Sequence, residues 1–267
     1  MMRLKFLLIG SVLIAAIPAR ADMSIDVSPV RTHVSLQAGD EYTNSVRVQN
    51  SGLEAIRLRS YLEDWTMDEA GTPIFKPAGT EKRTASLWIE AAPSDFLLEP
   101  GETKFVRFTV KVPAVTPGGG YYGSLILESL PLDRAVQGSM HMFVQGRVAT
   151  MIYLTVGTPK RAAQITSLMA VKRNNKDYLR LTVMNTGEDV VRLFGDVSVL
   201  QDGGDAKGNP IELPDVPVLP GMTRYVDLDL EPTWSAHDLA RVRIDLDGIG
   251  QLVGQCPLDP EKAQLVP

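Results

Sequence analysis

Val46-Arg47-Val48-Gln49-Asn50-Ser51-Gly52-Leu53-Glu54-Ala55-Ile56-Arg57-Leu58 returns, altered but recognisable, as Leu181-Thr182-Val183-Met184-Asn185-Thr186-Gly187-Glu188-Asp189-Val190-Val191-Arg192-Leu193. Each copy leads to a second shared phrase: Leu98-Glu99-Pro100-Gly101-Glu102-Thr103 after the first, Leu219-Pro220-Gly221-Met222-Thr223 after the second. The copies stand 135 residues apart at the asparagine (50 to 185) and 120 apart at the glycine (101 to 221). Solenoid repeats run about 20–50 residues, so an offset this long marks a duplicated domain. The duplicated unit is β structure. Apolar and polar residues alternate on both sides of Asn-Ser/Thr-Gly, and Asn and Gly tolerate the positive φ of a hairpin turn. The expected fold is all-β, with two β-sandwiches in tandem.

Working outward, residues 1–21 read as an export signal to be left out of the fold. Arg3 and Lys5 are positive, Phe6 to Ile17 is an apolar run, and Ala19-Arg20-Ala21 fits a cleavage site. A run of that length rises about 18 Å as a helix, short of the roughly 30 Å of a hydrocarbon core. The remainder, 267 − 21 = 246 residues, suits two domains of ordinary size. The expected layout is a signal peptide over 1–21, an N-terminal domain over 22–157, a C-terminal domain over 160–256 and a flexible tail over 257–267. Gly157-Thr158-Pro159-Lys160 serves as the linker.

The formal net charge is −5, and losing Arg3, Lys5 and Arg20 with the signal leaves −8. An acidic chain lacks the Lys and Arg that release counterions from nucleic acid, so no nucleic-acid partner is expected. With the signal removed, no membrane insertion is expected either. Cys256 is the single cysteine and cannot form an intrachain disulfide. With neither a CxxC motif nor a basic pair beside it, it reads as a buried or incidental thiol.

Strand signals recur along the chain. Ser45 to Gln49, Ile56 to Leu62 and Lys104 to Val112 all alternate, the mark of a half-buried antiparallel sheet. The second unit repeats the scheme over Ile165–Val171, Leu179–Met184, Val191–Leu200, Met222–Leu230 and Arg241–Leu246. Short strands with turn signals about every 8–12 residues are the pattern of immunoglobulin-like sandwiches. One extended run, Met140 to Val156, is far longer than the usual strand of about five or six residues and should run beyond its own sheet or along its edge.

Catalytic constellations are absent. His33, His141 and His237 have no metal-ligand spacing. Gly118-Gly119-Gly120 lacks the Lys-Ser/Thr of a phosphate loop, and no serine sits in a G-x-S-x-G elbow. The chain reads as a binder rather than an enzyme, with no cofactor and no metal.

Three stretches of the first domain resemble the N-terminal domain of the periplasmic pilus-assembly (fimbrial) chaperones. The first is Val30-Arg31-Thr32-His33-Val34-Ser35-Leu36 with Gly39 and Asn50. The second is Ser86-Leu87-Trp88-Ile89 with Phe96 to Thr103 and Val106-Arg107. The third is Leu125 to Pro131, then a loop, then Gln145-Gly146-Arg147-Val148 continuing to Tyr153. Together they cover about 120 residues in the family's order of elements, counted along the chain. The resemblance implies two immunoglobulin-like domains and a periplasmic chaperone that donates its long seventh strand to an unfinished subunit. Its partners are then pilus-like or other β-rich surface-protein subunits, with an outer-membrane usher downstream. The other reading is an exported structural or adhesive protein built of the same modules.

Strand donation requires backbone groups and alternate apolar knobs. Met140, Met142, Val144, Val148 and Ile152 make such a row, although Val148, Ile152 and Leu154 can equally complete the domain's own core. In the family, a cleft Arg on the first strand and a Lys on the seventh bind the subunit's terminal carboxylate. Here the Arg position falls at His33, or at Val34 without a gap, and the Lys position at Ala149. Arg31 and Arg147 can take their place, or simply be exposed strand charges, and the family's cysteine pair in the second domain is missing.

Overall fold

The computed structural model describes residues 24–132, 145–174, 176–201, 204–230, 234–235, 237–246, 248, 250–258 and 264–265. Residues 1–21, read above as an export signal, and residues 133–144 lie outside this set, and with them Met140, Met142 and Val144. Among the described residues no helix is long and apolar enough to cross a membrane.

Residues 25–156 form a two-sheet sandwich. One sheet holds β1 (Ile25–Ser28), β3 (Glu41–Asn50), β8 (Thr103–Lys111) and β6 (Ile89–Ala92), in that order. The other runs β2 (Arg31–Leu36), β10 (Arg147–Val156), β9 (Gly119–Leu130), β4 (Ile56–Met67), β5 (Pro73–Pro77), with β7 (Asp95–Leu98) also on β4. All these pairs are antiparallel except β2 with β10, which run parallel. Between the sheets, Leu58, Leu98, Phe108, Leu125, Leu127 and Leu154 are almost wholly removed from solvent. Each such side chain contributes about 1.5–3 kcal/mol of burial.

The second sandwich repeats the plan. One sheet is β16 (Thr223–Asp229), β12 (Lys176–Asn185), β11 (Ala163–Arg173) and β19 (Gln264–Leu265). The other is β14 (Ile211–Glu212), β13 (Val191–Leu200), β17 (Leu239–Asp245) and β18 (Gln251–Pro257), with β15 (Val216–Val218) on β13. The fold is all-β, two sandwiches in tandem. Of the tail expected to be flexible, the structure describes 257–258 and 264–265. Gln264–Leu265 pairs in parallel with Val171 and Lys172, where the edge of β11 offers unpaired backbone groups.

The repeated phrases prove to be partners. Asn50 is fully buried; its Nδ2 donates to the carbonyls of Glu54 (2.7 Å) and Leu98 (3.0 Å), and its Oδ1 accepts from the Gly52 N–H (2.9 Å). Asn185, also fully buried, donates to Asp189 (2.8 Å) and Val218 (2.7 Å) and accepts from Gly187 (2.8 Å). In each domain the glycine of the second phrase closes the loop: Gly101 N–H donates to the Asn50 carbonyl and Gly221 N–H to that of Asn185. Those glycines sit at φ +75° and +73°, a conformation glycine adopts without the Cβ penalty. The hairpin reading of Asn-Ser/Thr-Gly is therefore corrected. β3 and β4 lie in different sheets, and the asparagine amide clasps the crossing between them.

A third cluster joins the sandwiches. Trp65, Met67, Tyr122 and Tyr153 of the first domain pack on Val190 and Leu219 of the second. The rings meet edge to face, with Trp65–Tyr153 centroids 5.1 Å apart and Tyr122–Tyr153 5.9 Å. The second copy of the repeat supplies polar contacts: the Glu188 carbonyl accepts from Gly120 N–H (2.8 Å) and Arg83 (3.1 Å). Asp189, 1% exposed, accepts from Thr155 (2.9 Å) and Arg161 (3.1 Å).

Candidate functional site

β10 changes character along its length. From Met151 to Val156 it is held on both flanks, by β2 and by β9. Both of its faces are covered there as well. Ile152, Leu154 and Val156 point into the first core, while Met151 and Tyr153 join the cluster between the domains. Ile152, read from sequence as a candidate knob for a partner, is 0% exposed and belongs to its own core. Strand alternation placed it on the apolar face; the opposite sheet already fills the space in front of it.

Arg147 to Thr150 differ, because their ladder runs to β9 alone among the described residues. The Ser129 N–H donates to the Gly146 carbonyl, so even-numbered residues of β10 face β9; the Met151 N–H donates to Val30, so odd-numbered ones face the other flank. Arg147 and Ala149 therefore direct their N–H and C=O groups past the end of β2. Beside them lies a groove of about 240 Å³ lined by Phe75, Ile126, Arg147, Val148 and Ala149. Val148 is half-buried at its margin.

Between the domains opens a cavity of about 460 Å³, lined by Arg31, His33, Val34, Ser35, Thr155, Arg161, Val190 and Arg192. β2 supplies Arg31, His33 and Ser35 from one face, since alternate residues of a strand point the same way. His33 stacks on Tyr153 at 4.4 Å, and its Nε2 lies 3.1 Å from Arg192 Nη1. Because a guanidinium can only donate, that ring nitrogen is the acceptor. Burial raises the Tyr153 phenol above its ordinary value, although Arg31, Arg192 and Arg224 pull it down. The Asp215 carboxylate binds Arg192 and lies 3.5 Å from Arg31. The wall is cationic, suited to a carboxylate or another small anion.

Of the three residues read from sequence as candidate anchors, Arg31 and His33 line this cavity and Arg147 does not. Arg147 precedes the partner of Arg31 on β10, Met151, by four residues, about 13 Å along a strand. It pairs instead with Glu63 at 2.6 Å and lies 5.7 Å from the Tyr61 ring. Ala149 lies outside the cavity as well, and the residue opposite His33 is Tyr153. Sequence reasoning missed Arg161, Arg192 and Asp215. Arg192 sits in the repeated phrase where the first copy has Arg57, but Arg57 makes a surface fork with Asp95 at 2.9 Å. Nothing local distinguishes the two arginines; only the docking of the domains does. Among the described residues no group of three or more His, Cys, Asp or Glu side chains is placed to hold a metal ion.

No family model and no curated protein matches the chain. Among solved structures, it is similar to the class 5 fimbriae chaperone CfaA, at 15% identity, TM-score 0.48, over 88% of this chain and 100% of that one. It is also similar to a structure of the Salmonella enterica SafA pilin in complex with the SafB chaperone, at 17% identity, TM-score 0.47, over 90% and 99% of the two chains. A third is the CsuC–CsuE chaperone–tip adhesion subunit pre-assembly complex of Acinetobacter baumannii, at 14% identity, TM-score 0.46, over 91% and 100%.

Proposed function

We propose that this protein is a periplasmic chaperone, exported by residues 1–21, that holds β-rich surface-protein subunits by adding the open flank of β10 to their sheets. A subunit lacking one strand exposes unpaired N–H and C=O groups and a hydrophobic groove, and is prone to aggregate. One observation carries the reading: among the described residues, Arg147–Ala149 pair with β9 on one side only, while Met151–Val156 is anchored on both and the Thr150 hydroxyl already donates to the Pro29 carbonyl. A strand so anchored can offer its free flank without unravelling its own sheet. The apolar row expected to fill a client groove continues N-terminally through Val144, Met142 and Met140, outside the described residues. The cleft of Arg31, His33 and Arg192 then takes the client's C-terminal carboxylate, for which guanidinium forks are suited. An outer-membrane usher that takes the client onward is the further partner this reading expects.

Ala149→Pro tests this directly. Proline removes an N–H that faces away from β9, so the domain's own ladder is spared while an added strand loses a bond. Co-expressed with a β-rich subunit, the variant is expected to recover roughly tenfold less soluble complex or worse, with an unchanged melting temperature. A complex as abundant as that of the unaltered protein would overturn the proposal.

A further inference from the structure

Asp215 occupies, in the free protein, a position where an anion could sit. Its carboxylate lies between Arg192 of its own domain and Arg31 of the other, and Arg192 also reaches His33. The two sandwiches are thus tied through one carboxylate. The two halves of the tie are unequal. Arg192 is 15% exposed and firmly engaged, whereas Arg31 is 50% exposed and stands off at 3.5 Å. Charge-assisted contacts of this type close to about 2.7–2.9 Å when fully formed, so the Arg31 half is the loose one. Beside it lies the 460 Å³ cavity, whose walls are the same Arg31, His33 and Arg192 together with Arg161. Arg161 is turned to the buried Asp189, so Arg31 and Arg192 are the cations that meet both Asp215 and the cavity, and Arg31 is the more exposed of the two.

We propose that Asp215 is an internal stand-in for a peptide's C-terminal carboxylate, and that an incoming chain end displaces it, first from Arg31. The proposal rests on the chaperone reading, which supplies a client with such a chain end. Exchange of one carboxylate for another leaves the charge of the cleft unchanged, so the arginines face no new unpaired state at any stage. Asp215 is 39% exposed and can pass into water on release. A tethered competitor also lowers the affinity for the client, because the internal carboxylate is always present at high effective concentration. Capture through the cleft is then reversible, and it loosens the tie between the domains.

The test compares the full chain with Asp215→Asn, using N-acetylated penta-alanine as the free acid and as its C-terminal amide, titrated by NMR. Asparagine preserves the shape and removes the charge. Asp215→Asn is expected to bind the acid roughly two- to fivefold tighter, the range of a partly exposed ion pair, with amide binding unchanged. If both proteins prefer the acid equally, or the variant binds it more weakly, the stand-in is overturned while the cleft anchor survives. If neither prefers the acid, the anchor itself is wrong and the stand-in falls with it. Asp215→Ala, run in parallel, guards against an asparagine that re-forms the same bonds, and must shift acid binding in the same direction.

Discussion

Replacing Asn50 or Asn185 with Ala strips three hydrogen bonds from a fully buried site, so that two carbonyls and an N–H each lose their amide partner. Each substitution is expected to cost about 2–4 kcal/mol, measured by urea unfolding, since orphaned buried polar groups lose their full desolvation free energy. The asparagines are visible in the sequence because they repeat, but their role is not. Their decisive acceptors, Leu98 and Val218, lie 48 and 33 residues away. A local pattern therefore suggested a turn where the folded chain has a clasp. Cys256 is a simpler case. Burial lifts its thiol to about 11, so at pH 8 almost none is thiolate. Iodoacetamide at that pH is expected to leave the native protein unmodified and to label it fully in urea; the sign requires labelling of the native form to rise only as the pH approaches that value.

At the level of the strand, β10 has two regimes that substitutions can separate. Ile152→Ala removes a core side chain and is expected to cost about 2–5 kcal/mol. Val148→Pro, one residue from the neutral position tested above, removes an N–H that faces Leu127 on β9 and is expected to cost about 1–3 kcal/mol. Thermal melts of Val148→Pro and Ala149→Pro side by side check the assignment of flanks; equal losses would refute it. Alternation along Arg147–Val156 was legible from the residues and correctly put Ile152 opposite Tyr153. Which flank lacked a neighbour was not legible, because pairing depends on where β2 begins, more than a hundred residues earlier in the chain.

Across the whole molecule, the docking of the domains draws on aromatic packing and on one buried acid. Asp189→Ala would leave Thr155, Arg161 and the Val190 N–H without their carboxylate. The coupling between sandwiches is expected to fall by about 1–3 kcal/mol, discounted because Arg161 is partly exposed. Calorimetry checks this, with the endotherm of the variant broadening or splitting while an undiminished single transition would count against it. Composition, the long-offset repeat and period-two alternation were enough to establish an all-β chain of two related sandwiches, because those signals are local and each strand carries its own. The cleft belongs to another order of information. Arg31, His33, Arg192 and Asp215 converge only when the two sandwiches dock, and no spacing along the chain records the rotation at which they meet.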